Sequence, residues 1–340
     1  MSRAITGIVF RRGRMLLWGA CLAAALILPL VFKGGFVVSL LCQMGIMVVF
    51  ALSYNMLLGQ TGLLSFGHAV YYGLGAFVSM HALNLFGKDG GPLAVALLPL
   101  AGGLAGLLAG VVLGYVTTKK AGTTFAMISL GIGELVAACA LMFPGFFGGE
   151  GGVSGNRVVG KGNLLGFTWG PQIEMYWLIV AWAFLATVAM FALTQTPLGR
   201  MANAVRDNPE RAEFVGYDTQ RVRYLMLILS GFFAGIAGGL TALNYEIVTA
   251  ETLNAHTSGV VLLMTFVGGI GLFYGPIIGA ILISVMQIVI GGLTHAWLLY
   301  FGLFFLFMVL MAPGGIASVL AMQRALWQAR LLGRMLPHYL

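Results

Sequence analysis

The stretch PLGRMANAVRDNPERAEFVGYDTQRVR, residues 197–223, is the one long polar segment in an otherwise apolar chain. It contains nine of the chain's 28 charged residues (18 basic and 10 acidic). An apolar run ends at its left edge and another begins at its right edge. Because charged side chains are costly in hydrocarbon, we expect this segment, here named the polar island, to lie outside a bilayer.

The composition of the chain predicts an all-α polytopic integral membrane protein. Hydrophobic residues make up 60% of the 340 positions, charged residues only 8%, and 50 positions are glycine, whereas about a quarter of a soluble domain is charged. The net charge of +8 does not indicate nucleic-acid binding, because no basic face is interleaved with exposed aromatic residues. Cys21, Cys42 and Cys139 lie in apolar runs without the spacing of a zinc site or a disulfide framework. We interpret them as small core residues and expect neither a metal nor a cofactor.

Ten apolar segments approach the length of about 20 residues that a membrane-spanning helix needs. We expect eight to ten of them to cross, because the short connection 59–62 and the short segment 258–271 could each belong to a broken or re-entrant helix. A single transmembrane domain then extends over residues 1–340. The ten segments are 15–32, 36–58, 63–86, 92–117, 122–143, 175–194, 224–243, 258–271, 276–291 and 296–311.

The distribution of basic residues predicts that both termini lie in the cytoplasm. The arginine-rich start looks like a signal peptide, but no small-residue cleavage site interrupts the apolar run that follows, so we expect a retained first helix. With the N-terminus inside, 14 of the 18 basic residues fall in the cytoplasm, as the positive-inside rule requires. That orientation makes the polar island and the basic tail 312–340 cytoplasmic, and it makes the glycine-rich segment 144–174 an irregular periplasmic loop. The four basic residues left outside are Lys33, Lys88, Arg157 and Lys161.

Two series of small residues predict where helices pack closely. Glycines recur at every fourth position of the segment 92–117, and small residues do so in 224–243. Small side chains at this spacing lie on one helix face and let two backbones approach each other. We expect each series to pack within the subunit, with packing against a sister subunit as the alternative. The first series is Gly102, Gly106, Gly110 and Gly114, and the second is Ser230, Ala234 and Gly238 with Gly231, Gly235 and Gly239.

Capping residues predict a short helix over residues 209–215 inside the polar island. Asn208 or Asp207 is a good N-cap, and Pro209 suits the first helical turn. Gly216 can end the helix in the left-handed conformation. Asp218 or Thr219 could then cap a second turn that leads to Arg221 and Arg223 near the headgroups.

The same region carries a specific resemblance. The segments 204–218, AVRDNPERAEFVGYD, and 229–240, LSGFFAGIAGGL, resemble the permease subunits of branched-chain amino acid ABC importers of the LivM type. In that family this region contains the coupling helix that docks on the ATPase subunit. The resemblance therefore implies an ATPase interface formed by the E-x-A-x-x-x-G residues and those just before them. These residues are Arg206, Asp207, Pro209, Glu210, Ala212 and Gly216.

A second match indicates a translocation path. The stretch 55–69, NMLLGQTGLLSFGHA, resembles the family's glycine-rich stretch that ends S-x-G-H-A. Gly59, Gly62 and Gly67 can break a helix, and non-helical backbone at membrane depth is tolerated only inside protein or along a watery path. A hydrogen-bonded structural histidine is an equally good interpretation of His68, since no second ligand stands at metal-binding spacing. The polar groups of the candidate path are Asn55, Gln60, Thr61, Ser65 and His68.

Glu134 is the one carboxylate inside a predicted span, about 20 Å along the helix from Ala121 at about 1.5 Å per residue. A charged side chain at that depth is expensive, so we expect it to face the interior of the bundle. Its surroundings ISLGIGE, residues 128–134, resemble the family's pattern of a hydroxyl residue, apolar residues and glutamate. Lining the translocation path and forming a helix–helix hydrogen bond are both open roles for it.

The resemblance implies a permease subunit of a binding-protein-dependent ABC importer in the bacterial inner membrane. No G-x-x-x-x-G-K-[ST] phosphate loop occurs in the chain, so we expect ATP hydrolysis on two separate ATPase subunits and no enzyme activity here. The family further implies a sister permease in a heterodimer, a periplasmic binding protein, and leucine, isoleucine or valine as substrate. Urea, short amides or aromatic acids are the alternative substrates.

Two other classes of protein are disfavoured. An ion-coupled secondary transporter or channel would need several ionisable groups inside the bundle, and we assign such a place only to Glu134 and His68. An intramembrane enzyme would need a nucleophile with its base, or a metal cluster, converging there. The sequence contains no such set of residues within its predicted spans.

Overall fold

The computed structural model describes residues 12–31, 34–87, 91–158, 166–294, 296–312, 314–319 and 321–323. These residues are almost entirely helical, in agreement with the predicted all-α class. Residues 1–11, Lys33, Lys88, Lys161 and the tail beyond residue 323 lie outside the described residues. The helices are α1 Arg12–Val31, α2 Gly35–Thr61, α3 Ala69–Phe86, α4 Gly91–Thr117, α5 Gly122–Met142, α6 Pro144–Phe147, α7 Gln172–Gln195, α8 Pro197–Asp207, α9 Pro209–Phe214, α10 Thr219–Tyr245, α11 Ala255–Gly268, α12 Gly275–Leu293 and α13 Trp297–Met311.

The helices have the lengths of membrane spans. Eight helices of the described residues are long and apolar enough to cross a membrane, and two further apolar helices are shorter. The shorter ones are Trp18–Val31, within α1, and Ala255–Gly268, which is α11. Together they occupy the ten predicted segments, so the chain is a polytopic membrane protein.

A non-helical segment separates α2 from α3. The predicted span 63–86 begins too early, because residues 62–68 are not helical. α2 continues to Thr61 and ends at Gly62, whose φ of +72° suits glycine, and α3 begins only at Ala69. We name residues 62–68 the re-entrant segment.

The close approach of another backbone, and not a helix break, explains Gly59. It lies inside α2, where an added side chain would come within 2.9 Å of the carbonyl oxygen of Ile270. Ile270 belongs to residues 269–274, the non-helical connection between α11 and α12. α11 therefore ends at Gly268, three residues before the predicted boundary. Two non-helical connections thus meet at the same end of α2.

The two series of small residues pack against each other within the subunit, which confirms the favoured interpretation. A methyl group added to Gly102 of α4 would lie 2.6 Å from the carbonyl oxygen of Gly235 in α10, and one added to Gly106 would meet the backbone of Gly231. α3 joins them through Gly75, whose added methyl would lie 2.9 Å from the carbonyl oxygen of Gly102. Backbone contact at these small residues brings α3, α4 and α10 into one tightly packed centre.

The spans differ in how much of their surface the subunit encloses. α10 is the most enclosed of the candidate spans, whereas α5, α7 and α12 expose most of their surface. Cys42 is buried in α2 as expected, and Cys139 in α5 is half-buried. Cys21 is exposed on α1, so its interpretation as a core residue is wrong.

The predicted irregular loop 144–174 contains short regular elements. α6 and a 3-10 turn at Gly149–Gly151 precede a strand β1, Val153–Ser154. β1 pairs antiparallel with β2, Ile247–Val248, just beyond α10. The polar island precedes α10, whose 27 residues extend about 40 Å. We name the end of the bundle that carries residues 143–158 and 166–171 the loop face, and the end that carries the polar island the island face.

Arg157 holds the loop against the end of α10. It is only 6% exposed, and its guanidinium donates hydrogen bonds to the carbonyl oxygens of Leu243, at 2.7 Å, and Asn244, at 2.9 Å. It also donates to the carbonyl oxygen of Trp169 at 2.8 Å. Burial lowers the pKa of the Arg157 guanidinium, and the nearby carboxylate of Glu246 opposes that shift. The sequence pattern does not predict this anchor, because the partners of Arg157 are distant in the chain or are backbone atoms.

Candidate functional site

The polar island contains a helix that the sequence analysis does not predict. α8 is capped by Thr196, whose hydroxyl oxygen accepts a hydrogen bond from the backbone N–H of Gly199 at 3.4 Å. Pro197 occupies its first turn. One face of α8 packs against the bundle, and the apolar spacing of that face is the signal that could have found it. The residues of this face are Leu198, Met201, Ala202 and Val205.

The second helix of the island, α9, confirms the predicted helix with an end one residue earlier. Asn208 is the cap, and its side-chain oxygen accepts a hydrogen bond from the backbone N–H of Arg211 at 2.9 Å. Gly216 follows the helix with a φ of +95°, the left-handed conformation that was expected. Asp218 then caps α10 through its own side-chain oxygen. Local capping rules therefore describe this part of the island well.

Five of the six predicted docking residues are exposed on the island face. The sixth, Ala212, is buried against the bundle, so it stabilises α9 and is not placed to contact an ATPase directly. An apolar tip on α9 was not predicted: Phe214 is 90% exposed, and Val215 and Tyr217 are exposed beside it. Exposed apolar groups on a polar surface mark a contact with another protein. The five exposed docking residues are Arg206, Asp207, Pro209, Glu210 and Gly216.

Arg206 connects the polar island to the end of α2. Its Nη1 donates a hydrogen bond to the carbonyl oxygen of Gly59, and its Nη2 lies 2.9 Å from Oδ1 of Asp207. A methyl group on Gly62 would lie 3.0 Å from Cγ of Arg206, so the arginine stem packs where the re-entrant segment begins. One of the predicted coupling residues, Arg206, is therefore in contact with the stretch 55–69 that contains the predicted translocation residues, which no sequence signal indicates.

Side chains from three helices hold the re-entrant segment. The Tyr54 hydroxyl donates to the carbonyl oxygen of Ser65 at 3.0 Å, and the backbone N–H of Phe66 donates to Oγ of Ser129 in α5 at 3.1 Å. Ser258 of α11 accepts a hydrogen bond from the first residue of α3 at 2.8 Å. Buried backbone groups outside a helix need such partners. Beyond Gly62, which is exposed, the residues of the segment are buried or half-buried, as irregular backbone at membrane depth must be unless it lines a watery path.

The predicted translocation residues near the re-entrant segment are enclosed, and some of their polar atoms have no partner. Oδ1 of Asn55, Oε1 of Gln60 and Nδ1 of His68 form no hydrogen bond with the described residues. Thr61 instead donates to the carbonyl oxygen of Leu57. Unpaired buried polar atoms are rare in folded proteins and call for an explanation such as water or a ligand. Asn55, Thr61, Ser65 and His68 are buried, and Gln60 is half-buried.

His68 has the surroundings of a structural histidine. Its ring is stacked on Phe50 at a centroid distance of 5.6 Å and meets Tyr54 edge-on at 5.1 Å. Nε2 lies 3.1 Å from Oγ of Ser53, which itself donates to the carbonyl oxygen of Phe50, so Nε2 carries the hydrogen of this pair. In the described part of the chain, no group of three or more histidine, cysteine, aspartate or glutamate side chains could hold a metal ion. These contacts favour the structural interpretation of His68.

Glu134 does not face the interior of the subunit, contrary to the prediction. Its side chain is exposed on α5 and has no hydrogen-bonding or ionic partner among the described residues. The adjacent face of α5 packs on the re-entrant segment, where a methyl group on Gly133 would lie 3.3 Å from Cα of Gly67. A helix–helix hydrogen bond with this part of the chain is thus excluded. A charge at this depth still avoids lipid, so something outside the described residues has to cover it.

A non-helical segment at membrane depth brings unpaired polar groups into an apolar bundle. Such groups are typical of the sites at which transport proteins bind a solute inside the membrane. The fold and this segment define a multi-pass membrane permease. Comparison with known families agrees with that class. The model of the family described as branched-chain amino acid transport system, permease component, matches residues 36–313, and the chain belongs to that family.

Individual relatives are similar over most of the chain. LivM of Escherichia coli (strain K12), a high-affinity branched-chain amino acid transport system permease protein, is 26% identical over 291 residues, which cover 80% of this chain and 67% of that protein. A probable branched-chain amino acid transport permease protein LivH of Methanocaldococcus jannaschii is 26% identical over 259 residues, covering 71% and 76%. The guanosine ABC transporter permease protein NupQ of Bacillus subtilis (strain 168) is 30% identical over 69 residues, covering 20% and 22%. No solved structure matches the chain significantly.

Proposed function

We propose that this chain is the membrane-spanning permease subunit of a binding-protein-dependent ABC importer in a bacterial inner membrane. The substrates are leucine, isoleucine and valine, as the names of the LivM and LivH relatives suggest. The partners are a sister permease in a heterodimer, two ATPase subunits and a periplasmic binding protein. The sequence itself contains no phosphate loop, which supports ATP hydrolysis on separate subunits.

In this proposal the island face is cytoplasmic and the loop face is periplasmic. The excess of basic residues on one side supports this orientation. Residues 197–223 are then the coupling loop, 144–174 the periplasmic loop and 312–340 a basic cytoplasmic tail. All three belong to a single permease domain over residues 1–340.

The contact between Arg206 and the end of α2 carries the proposal. An ATPase bound to the α8–α9 pair would move that pair when it closes on ATP. The hydrogen bond from Arg206 to Gly59 and the packing of its stem on Gly62 would pass the movement to the re-entrant segment. Ser129 would pass it further to α5, because the segment is hydrogen-bonded there. The residues proposed to meet the ATPase are Arg206, Asp207, Pro209, Glu210 and Gly216, with Ala212 supporting them from inside.

The translocation path opens, in this proposal, when the re-entrant segment moves relative to α2 and α5. The unpaired atoms of Asn55, Gln60 and His68 support this, because a passing solute or water would give each of them a partner. Thr61 ends α2 just before the moving segment, and Ser65 lies in the middle of it. Glu134 contributes from the exposed side of α5.

Reconstitution tests the proposed function. The chain is purified with the sister permease, ATPases and binding protein encoded beside it, and the complex is placed in proteoliposomes. We expect leucine uptake that requires both ATP and the binding protein and that isoleucine and valine inhibit. Uptake driven by an ion gradient without the ATPase subunits would contradict the proposal. Inhibition by urea, short amides or aromatic acids in place of isoleucine and valine would overturn the substrate assignment.

A further inference from the structure

We propose that the exposed stripe of α5 centred on Glu134 forms one wall of a passage between this chain and a second permease subunit, and that the Glu134 carboxylate binds the ammonium group of an amino acid there. The inference rests on the proposed permease function, and it adds the wall, its partner and the chemical group that recognises the substrate. We name the residues of this wall the Glu134 stripe. They are Met127, Gly131, Glu134, Ala138 and Leu141.

The depth of Glu134 makes its exposure informative. α5 begins at Gly122, so Glu134 lies about 18 Å along the helix, and the remaining residues to Met142 add about 12 Å. A hydrocarbon core is about 30 Å thick, which places the carboxylate well inside it. A charged group at such a depth faces a bundle interior or a water-filled cavity and not lipid. The described part of this chain provides neither a cover nor a partner for it.

The rest of the stripe has the character of a contact between membrane helices. Met127 is 75% exposed, and no atom lies within 4 Å of a methyl group built on Gly131. The stripe residues recur at spacings of three and four, so they form one line along α5. Small residues beside the carboxylate allow another helix to approach closely, as in other membrane interfaces. In this arrangement the apolar residues at both ends of the stripe pack against a second subunit, and the Glu134 carboxylate between them is hydrated. Both the apolar and the charged residues of the stripe then have a suitable environment.

The charge of the stripe selects the ligand. α5 contains Glu134 but no lysine or arginine, so this wall of the passage is negative. A carboxylate in a low-dielectric passage binds a cationic donor more strongly than a neutral N–H donor, and amino acids carry a cationic ammonium group. Urea and short amides are neutral, and aromatic acids are anions. The carboxylate therefore favours zwitterionic amino acids among the substrates considered above.

The position of Glu134 also fits a gated site. A different face of α5 receives the re-entrant segment through Ser129 and Gly133. A movement of that segment displaces α5 directly, because the two are hydrogen-bonded and in backbone contact. α5 thus connects the re-entrant segment, which responds to the ATPase, to the Glu134 stripe, which meets the substrate.

A charge-removing variant tests the binding role in the complete importer. We expect Glu134→Gln to lower leucine uptake at saturating loaded binding protein about ten- to hundredfold, the usual loss for a hydrogen bond to a charged group. ATP hydrolysis and co-purification with the partners should be unchanged, so more ATP is used per leucine. Glu134→Asp should retain part of the uptake, and the control Glu251→Gln, at an exposed carboxylate of the loop face, should behave as wild type. Unchanged uptake in Glu134→Gln would overturn the binding role.

Thiol labelling tests the wall independently of transport. In a complex whose native cysteines are replaced, Gly131→Cys should react with a cationic, water-soluble methanethiosulfonate, and leucine should slow the reaction. Leu104→Cys, on the exposed apolar surface of α4, is the lipid-facing control and should not react. Equal lack of reaction at both positions would overturn the proposed passage. Failure of the unmodified complex to import leucine would instead contradict the proposed function, and the labelling result would still decide whether the stripe faces water.

Discussion

Replacement of Arg206 by alanine should weaken the link between ATP hydrolysis and transport. The substitution removes the hydrogen bond to Gly59 and the packing on Gly62. A hydrogen bond from a charged donor contributes about 1.5–3 kcal/mol. The Arg206 side chain is 34% exposed, so solvent screening reduces this to about 1–1.4 kcal/mol. Because about 1.4 kcal/mol corresponds to a factor of ten, transmission should weaken roughly five- to tenfold.

The assay is ATP hydrolysis stimulated by loaded binding protein, measured with leucine uptake in the same proteoliposomes. Both should fall roughly five- to tenfold in Arg206→Ala, while the amount of ATPase that co-purifies stays the same. Arg200→Ala is the matched control, since Arg200 is exposed on the same helix and its side chain forms no hydrogen bond or ion pair with the described residues. Normal stimulation and uptake in an intact Arg206→Ala complex would refute transmission through this contact. Loss of the ATPases from the purified complex would instead show that the docking role also proposed for Arg206 dominates, and transmission would then be decided by the Gly62–Arg206 cross-link described below.

Three further variants test other parts of the structure. Gly216→Pro and Glu210→Ala should reduce co-purification of the ATPases without reducing membrane insertion; normal binding in both would argue against docking at α9. Arg157→Ala should lower the thermal denaturation midpoint in detergent, since breaking a buried charged anchor costs about 3 kcal/mol, and an unchanged midpoint would contradict the anchor. Gly106→Leu should reduce the yield of folded protein by separating α4 from α10, whereas Gly131→Ala, which has open space, should not; equal yields would argue against the close packing.

Local chemistry explains which parts of the fold and site were predictable. The caps Asn208 and Asp218 and the left-handed Gly216 act on backbone atoms within three or four residues, so their spacing in the sequence is sufficient. The two series of small residues were predictable for the same reason, because a helix repeats every 3.6 residues and residues four apart lie on one face. α8 has comparable local signals, in the cap Thr196 and one apolar face, but its charged residues hide them in a composition-based interpretation.

Contacts between distant residues explain the errors. Gly59 looks like a helix breaker until the carbonyl oxygen of Ile270 is seen beside it, 211 positions later in the chain. Arg157 and Arg206 both bind backbone carbonyl oxygens of distant segments, and a carbonyl has no sequence signature. For Glu134 the rule that a charge avoids lipid is sound, but it does not say which protein surface shields the charge. That is why the interior of this subunit was the wrong expectation.

A reversible cross-link tests the contact between the polar island and the re-entrant segment most directly. A Cβ atom built on Gly62 lies 3.8 Å from Cβ of Arg206, which is close to the mean of about 3.8 Å in disulfides. In a complex with Gly62→Cys and Arg206→Cys and no other cysteine, a disulfide would replace the arginine contact. Any strain from a side chain at position 62 is present in both redox states, so the reduced complex is the control for the oxidised one. We predict ATP-driven leucine uptake near the wild-type rate when the disulfide is formed, and roughly five- to tenfold slower uptake after reduction. Equal uptake in the two states, or slower uptake in the oxidised state, would contradict transmission from the island to the segment.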